Sequence, residues 1–163
     1  MLTFTSGFNP NPNSRSYKNE GSFSKAVARF LAVNKFVAHL LHDGQPRYNL
    51  FILWTMRTAL ESSPDRRDAM DNPEVFVPAA AACVSIAGRE IRSCNADYPP
   101  GERTGRPGSG GPLWEGKHGF CEERWRLWKD RFLSVSEESG ISEEVGRAAR
   151  DAHDEMEKID MTV

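Results

Sequence analysis

Apolar positions recur at helical spacing over most of the chain and almost nowhere at the alternating spacing of a strand. Phe23, Val27, Phe30, Leu31, Val37 and Leu41 predict a first helix from about Ser22 to Asp43-Gly44. Ser22 is a fair N-cap residue and Gly44 a good C-terminal stop. Val33, Phe36 and Leu40 carry the apolar surface nearly all the way round, so this helix is expected to have neighbours on several sides. Pro46 suits the first turn of a second helix, which runs through Leu50, Phe51, Ile52, Leu53, Trp54, Met56 and Leu60 to about Ser62. The connection between the two is short, which favours an antiparallel hairpin.

The polar stretch from Ser62 to Pro73, with Pro64-Asp65-Arg66-Arg67-Asp68 inside it, reads as a surface connection. A third helix is predicted from Val77 to about Cys94, with Pro78 in its first turn. It is rich in small residues, from Ala79 to Ala82 and again at Ala87 and Gly88. A helix-interior glycine costs about 1 kcal/mol relative to alanine, which close approach of a neighbouring helix would offset. In a fourth helix Cys121, Trp125, Trp128, Phe132 and Val135 share one face, while Glu122, Glu123, Arg126, Lys129 and Asp130 cover the other. Ser142 caps a fifth, with Glu143 and Glu144 at its positive end, Lys158 in its last turn, and a stripe of Val145, Ala148, Ala149, Ala152, Met156 and Ile159. The predicted fold is all-α, an irregular bundle or short stack of about five helices.

Two segments fall outside this rhythm. Residues 1–21 are rich in Asn, Pro, Ser and Gly and read as an irregular arm, which Phe4 and Phe8 could pin to the body; residues 22–163 read as one helical domain. Within that domain, residues 95–119 form a long loop dense in Gly and Pro. A loop of that length inside a compact domain is usually functional or disordered.

Composition adds mostly exclusions. A chain of 163 residues with 39% hydrophobic and 27% charged residues is a globular domain with a usable core. The net charge of -2 carries no basic excess, which argues against nucleic acid as the main partner. No apolar run reaches the roughly 18 residues of a membrane span, and the first residues lack a secretory pattern. Three sparse cysteines, Cys83, Cys94 and Cys121, make no disulfide framework and fit reduced thiols in the cytoplasm.

The block Glu122-Glu123-Arg124-Trp125-Arg126-Leu127-Trp128-Lys129-Asp130-Arg131-Phe132 comes after Gly111-Pro112-Leu113-Trp114 and after an Ala-rich helix from Ala79 to Gly88. This set resembles a filamentous-fungal family known only as a domain of unknown function, over roughly Lys25 to Glu157. The resemblance implies an all-helical, cytosolic fungal protein. It implies no activity, so it carries no functional residue with it.

Candidate chemistry is thin. Gly111-Pro112-Leu113-Trp114-Glu115-Gly116-Lys117-His118 nearly matches the phosphate-binding G-x-x-x-x-G-K-[ST] loop. His118 stands where the magnesium-binding hydroxyl belongs, and no apolar strand precedes it. His118, Cys121 and Glu122 fall within one turn, too few ligands for a zinc site, and His118 with Cys121 makes at most a bare nucleophile–base pair. No metal and no cofactor is therefore expected. In a second reading the protein is an enzyme of fungal specialised metabolism: His42 is a candidate acid or base with Tyr48 near it, and Arg103 and His118 complete the set that would act on a small, largely apolar molecule in a pocket between helices. In the reading placed first, the long loop meets a protein partner through Tyr98, Glu102, Arg106 and Trp114. A third reading makes the aromatic face of the fourth helix the contact between copies of the chain.

Overall fold

The structure, a computed structural model, describes residues 20–63 and 72–162. Nearly all of the expected arm and the Pro64–Asp68 connection lie outside the described residues. Among these residues there are five α-helices and no strand: α1 (Glu20–His42), α2 (Asn49–Leu60), α3 (Pro73–Ser93), α4 (Glu122–Ser136) and α5 (Glu143–Asp160).

Local chemistry explains most of the helix ends. α1 closes where Gly44 adopts a φ of +81°, and the Gln45 N–H reaches back to the Leu40 carbonyl at 2.9 Å. Pro46 starts not α2 itself but a single 3-10 turn, Pro46–Tyr48, that leads into it. α3 begins four residues before the expected start. Asn72 caps it by accepting from the Glu74 N–H at 3.0 Å, and Pro73 takes the first turn. Pro78 therefore lies inside the helix, where it withholds one backbone donor. The Ser142 hydroxyl caps α5 by accepting from the Val145 N–H at 3.4 Å, while donating to the Glu74 carboxylate at 2.6 Å.

α3 is the hub of the bundle. α1, α2 and α5 all pack on it, and α4 packs chiefly on α5. α1 and α2 touch only sparsely, so the hairpin expected from their short connection is a pair of neighbours sharing α3 instead. The small residues of α3 are what allow this crowding. A side chain at Gly88 would lie 2.6 Å from Ile159 Cδ1, so glycine marks the closest approach of α3 and α5, and the helix bends at the adjacent Ala87. The apolar core runs through Ala38, Ile52, Leu53, Val77, Cys83, Phe120, Trp125, Trp128, Phe132 and Met156.

Two sequence expectations fail for surface reasons. Phe36 is 64% exposed and Val33 is exposed too, so no described neighbour covers that side of α1. Conversely Ser62, read as the edge of a surface connection, is buried, and so is Glu61 before it.

Candidate functional site

The 95–121 segment departs most from regular structure and is nonetheless tied down along its length. Its two limbs run antiparallel where they meet. The Tyr98 N–H donates to the His118 carbonyl at 2.6 Å and the Phe120 N–H to the Ala96 carbonyl at 2.9 Å. Two glycines are required by this closeness, since a β-carbon at Gly119 would overlap the Ala96 carbonyl and one at Gly108 the His118 carbonyl; a third is required where the loop meets the end of α2, since a β-carbon at Gly111 would lie 2.8 Å from Glu61 Cβ.

At the base of the loop sits a buried ion pair that sequence reasoning missed. Glu61 and Arg124 each have a fully buried side chain. Arg124 Nε donates to Glu61 Oε1 at 2.7 Å and Nη2 donates to Oε2 at 3.0 Å. The carboxylate accepts twice more, from Trp128 Nε1 at 2.8 Å and from the Gly111 N–H at 2.7 Å. The remaining guanidinium donors go to loop carbonyls: Gly108 at 3.1 Å, Gly119 at 2.9 Å and Ser109 at 3.3 Å. All five guanidinium N–H groups thus have acceptors, which is the condition under which a buried charge is tolerated. The Trp114 and Trp128 rings each lie 5.5 Å from the guanidinium carbon and add cation–π contact. α2 contributes further ties, Trp54 Nε1 to the Pro107 carbonyl at 2.8 Å and Arg57 Nη1 to the Ser109 carbonyl at 3.2 Å. A weak sequence signal existed for Arg124, a cation beside the tryptophan stripe of α4. For Glu61, at the end of α2, there was none.

Above this base the loop narrows to a tip. Gly101 and Gly105 exchange both backbone hydrogen bonds, at 2.9 and 2.8 Å, with Gly105 at a φ of +66°. The turn they close carries Glu102, Arg103 and Thr104, all exposed, and Arg106 follows, also exposed. No side-chain partner for Glu102, Arg103 or Arg106 is present among the described residues.

The other candidate residues have varied settings. Tyr98 donates its hydroxyl to Asn49 Oδ1, and Asn49 Nδ2 donates to Cys94 Sγ at 3.4 Å, which fastens the first limb to α2. Burial first, and then Cys94, push the Tyr98 hydroxyl pKa upward; the Asn49 bond opposes them. Trp114 is half-buried and donates Nε1 to the Lys117 carbonyl at 3.0 Å. His42 is exposed and its Nδ1 lies 2.9 Å from Glu90 Oε1 on α3. Tyr48 is half-buried, with the Arg47 guanidinium carbon 5.2 Å from its ring centre. His118 is half-buried, and its Nδ1 has no partner among the described residues.

His42, Tyr48, Arg103 and His118 make no hydrogen bond to one another, and none of them lines the groove of about 720 Å³ between α1, α3 and α5. The phosphate-loop resemblance fails in space as well. The Gly111 N–H is spent on the Glu61 carboxylate, and Lys117 Nζ donates to the Asn95 carbonyl at 2.6 Å. Among the described residues no three His, Cys, Asp or Glu side chains are grouped to hold a metal ion. The aromatic face of α4 is buried within the chain at Trp125, Trp128, Phe132 and Val135, so it is not free to pair copies. No described helix is long and apolar enough to cross a membrane.

An all-α bundle with a buried ion pair locking a long loop is thus the class of protein defined here. The chain belongs to the family described as protein of unknown function DUF3632, whose sequence pattern matches residues 5–132 and so spans both Glu61 and Arg124. No curated protein and no solved structure matches it.

Proposed function

We propose that this protein is a binding module that presents the 101–106 loop tip to a protein partner. The observation that carries this reading is the contrast between the tip and its base. Glu102, Arg103 and Arg106 are exposed and without side-chain partners among the described residues, while the base beneath them is held by a fully satisfied buried ion pair. Holding a loop rigid before contact lowers the entropy lost on binding. An acid beside a base in one tight turn, with a second base just after it, suits a partner surface of mixed charge, which favours specificity over raw affinity.

A photo-crosslinking residue in place of Arg103 tests this in cells of the source. The reading expects one discrete protein adduct that disappears when Glu102 and Arg106 are both replaced by alanine. An adduct pattern identical to that from the exposed position of Glu115 would sink it.

A further inference from the structure

Independently of the loop, α3 is left partly uncovered among the described residues. α1 and α5 both pack on α3, and between them runs an open groove of about 720 Å³. Its floor is made by Pro78, Ala81, Ala82 and Ser85 of α3, with Ile86 at one end. These side chains are short, so the backbone of an incoming element can approach closely. The walls run from Leu31 to His39 and from Ala148 to Lys158, roughly 12 to 15 Å at 1.5 Å per residue, or two to three helical turns.

The two walls differ in charge. The α1 wall offers Lys35 and His39. The α5 wall offers Asp151, Asp154 and Glu155 against one Lys158, whose Nζ lies 3.5 Å from Glu155 Oε2. Lys35 and Asp151 have no ion-pair partner among the described residues. Asp154 Oδ1 lies 3.1 Å from His153 Nδ1, so the charges without a partner are Lys35 on one wall and Asp151 on the other, across a floor of small residues.

We propose that this groove docks an amphipathic helix of another protein. The incoming helix lays a stripe of small and aliphatic residues on α3. Its acidic edge lies toward Lys35 and its basic edge toward Asp151 and Asp154. The geometry is that of helix-in-groove recognition, in which the apolar stripe supplies affinity and the charged edges set orientation. A helix fits this groove better than a small molecule does, because the groove is open along its length and its polar groups stand on the rims rather than converging on one point.

The test uses the full chain and three synthetic helical peptides that share one Ala/Leu stripe. In one the two edges are glutamate and lysine; in the second both are glutamate; in the third both are lysine. Fluorescence anisotropy should show the mixed peptide binding about tenfold more tightly than either uniform one. Lys35→Glu makes both walls acidic and should transfer the preference to the all-lysine peptide. Replacing Asp151 and Asp154 together by lysine makes both walls basic and should transfer it to the all-glutamate peptide. Ala82→Trp fills the floor and should abolish binding of all three, with the circular dichroism spectrum and Tm of the chain unchanged.

Equal binding of the three peptides, preferences that ignore the wall substitutions, or binding that survives Ala82→Trp would each overturn the proposal. So would self-association of the chain that Ala82→Trp abolishes, which would give the groove to a second copy. Binding that emerges only after removal of residues 1–19 would give it to the chain's own arm.

Discussion

Arg124 and Glu61 meet as a bidentate pair with both side chains fully buried, 63 positions apart in the sequence. The pair joins the end of α2 to the start of α4, and the loop carbonyls of Gly108, Ser109 and Gly119 close round the guanidinium. Removing one partner strands the other charge without water. Arg124→Ala and Glu61→Ala are each expected to cost about 3–5 kcal/mol of stability. The double variant should cost clearly less than the sum, because the second substitution removes the stranded charge. Urea denaturation of the three variants checks this, and additive losses would show that the pair does not act as a unit.

The closeness of the two loop limbs makes a second, purely steric prediction. Gly119→Ala places a methyl group into the Ala96 carbonyl, part of the backbone rather than a flexible side chain. It should destabilise by more than about 2 kcal/mol, in the range of overpacked sites. Gly44→Ala meets no neighbouring atom and bears only the strain of its φ of +81°, so about 1 kcal/mol is expected. Thermal melts of the two variants should fall in that order; the reverse order would mean that the limbs are not in contact.

The sequence made the regular parts of this architecture readable and concealed the loop's base. Ser142, Gly44 and the stripe Trp125, Trp128, Phe132 and Val135 act locally, through a cap, a positive φ and a helical period, so each could be read from its neighbours. The start of α3 is obscured in the sequence because two prolines compete for one role. Asn72-Pro73-Glu74 holds a cap and a first-turn proline together, and Pro78 sits where only tertiary context tolerates it. Glu61 and Arg124 could not be paired because a charged residue is ordinarily solvated. Their burial depends on a contact between segments that no local pattern connects. The tip residues Glu102, Arg103 and Arg106 were readable as exposed loop chemistry, and what the loop rests on was not.

Asp160 ties the end of α5 to two other helices. Its Oδ1 accepts from Arg92 Nε at 2.8 Å and Trp125 Nε1 at 3.0 Å, and its Oδ2 accepts from Lys129 Nζ at 2.8 Å. Burial pushes this carboxyl's pKa up, and the bonds from Lys129 and Arg92 more than reverse that, leaving it below the ordinary 3.8. A depressed carboxylate stabilises the fold above its unfolded pKa and loses that contribution as pH falls through its folded pKa. Asp160→Asn should therefore lower stability at neutral pH and flatten its further decline below about pH 4, as read by urea midpoints from neutral to acidic pH. The Lys129 ammonium runs the other way. Hydrogen bonds to Asp160 and Glu157 raise it above its ordinary 10.5, so its contribution is present at neutral pH and fades only above that value. An acid limb that Asp160→Asn leaves unchanged would show that this carboxyl has no part in it.

The three thiols should react in an order set by burial. Cys83 is fully buried in the core, and burial pushes its pKa up to about 12, so almost none of it is thiolate near neutral pH. Cys94 and Cys121 are only half-buried. Alkylation with N-ethylmaleimide under native conditions should modify Cys94 and Cys121 while Cys83 stays free until denaturant is added. Mass spectrometry of the peptides reads this directly, and early labelling of Cys83 would show that the core around it opens readily.

The division of the loop into an exposed tip and a fastened base predicts how it is cut. Trypsin has three basic residues to choose from between positions 95 and 121: Arg103, Arg106 and Lys117. Arg106 precedes Pro107, a peptide bond trypsin spares. Lys117 is half-buried, and its ammonium is held by the Asn95 carbonyl. Cleavage in this segment should therefore begin after Arg103, in the exposed turn, as loop tips with small and polar residues are the preferred points of nicking. The two halves should then stay together. Glu61 and Tyr98 belong to the first half, and the groups they hold, Arg124 and the His118 carbonyl, belong to the second. Size-exclusion chromatography of the nicked protein should show one species at the position of the intact chain, with both fragments present on a denaturing gel. A first cut at Lys117, or fragments that separate without denaturant, would mean that the base does not hold the loop as its hydrogen bonds describe.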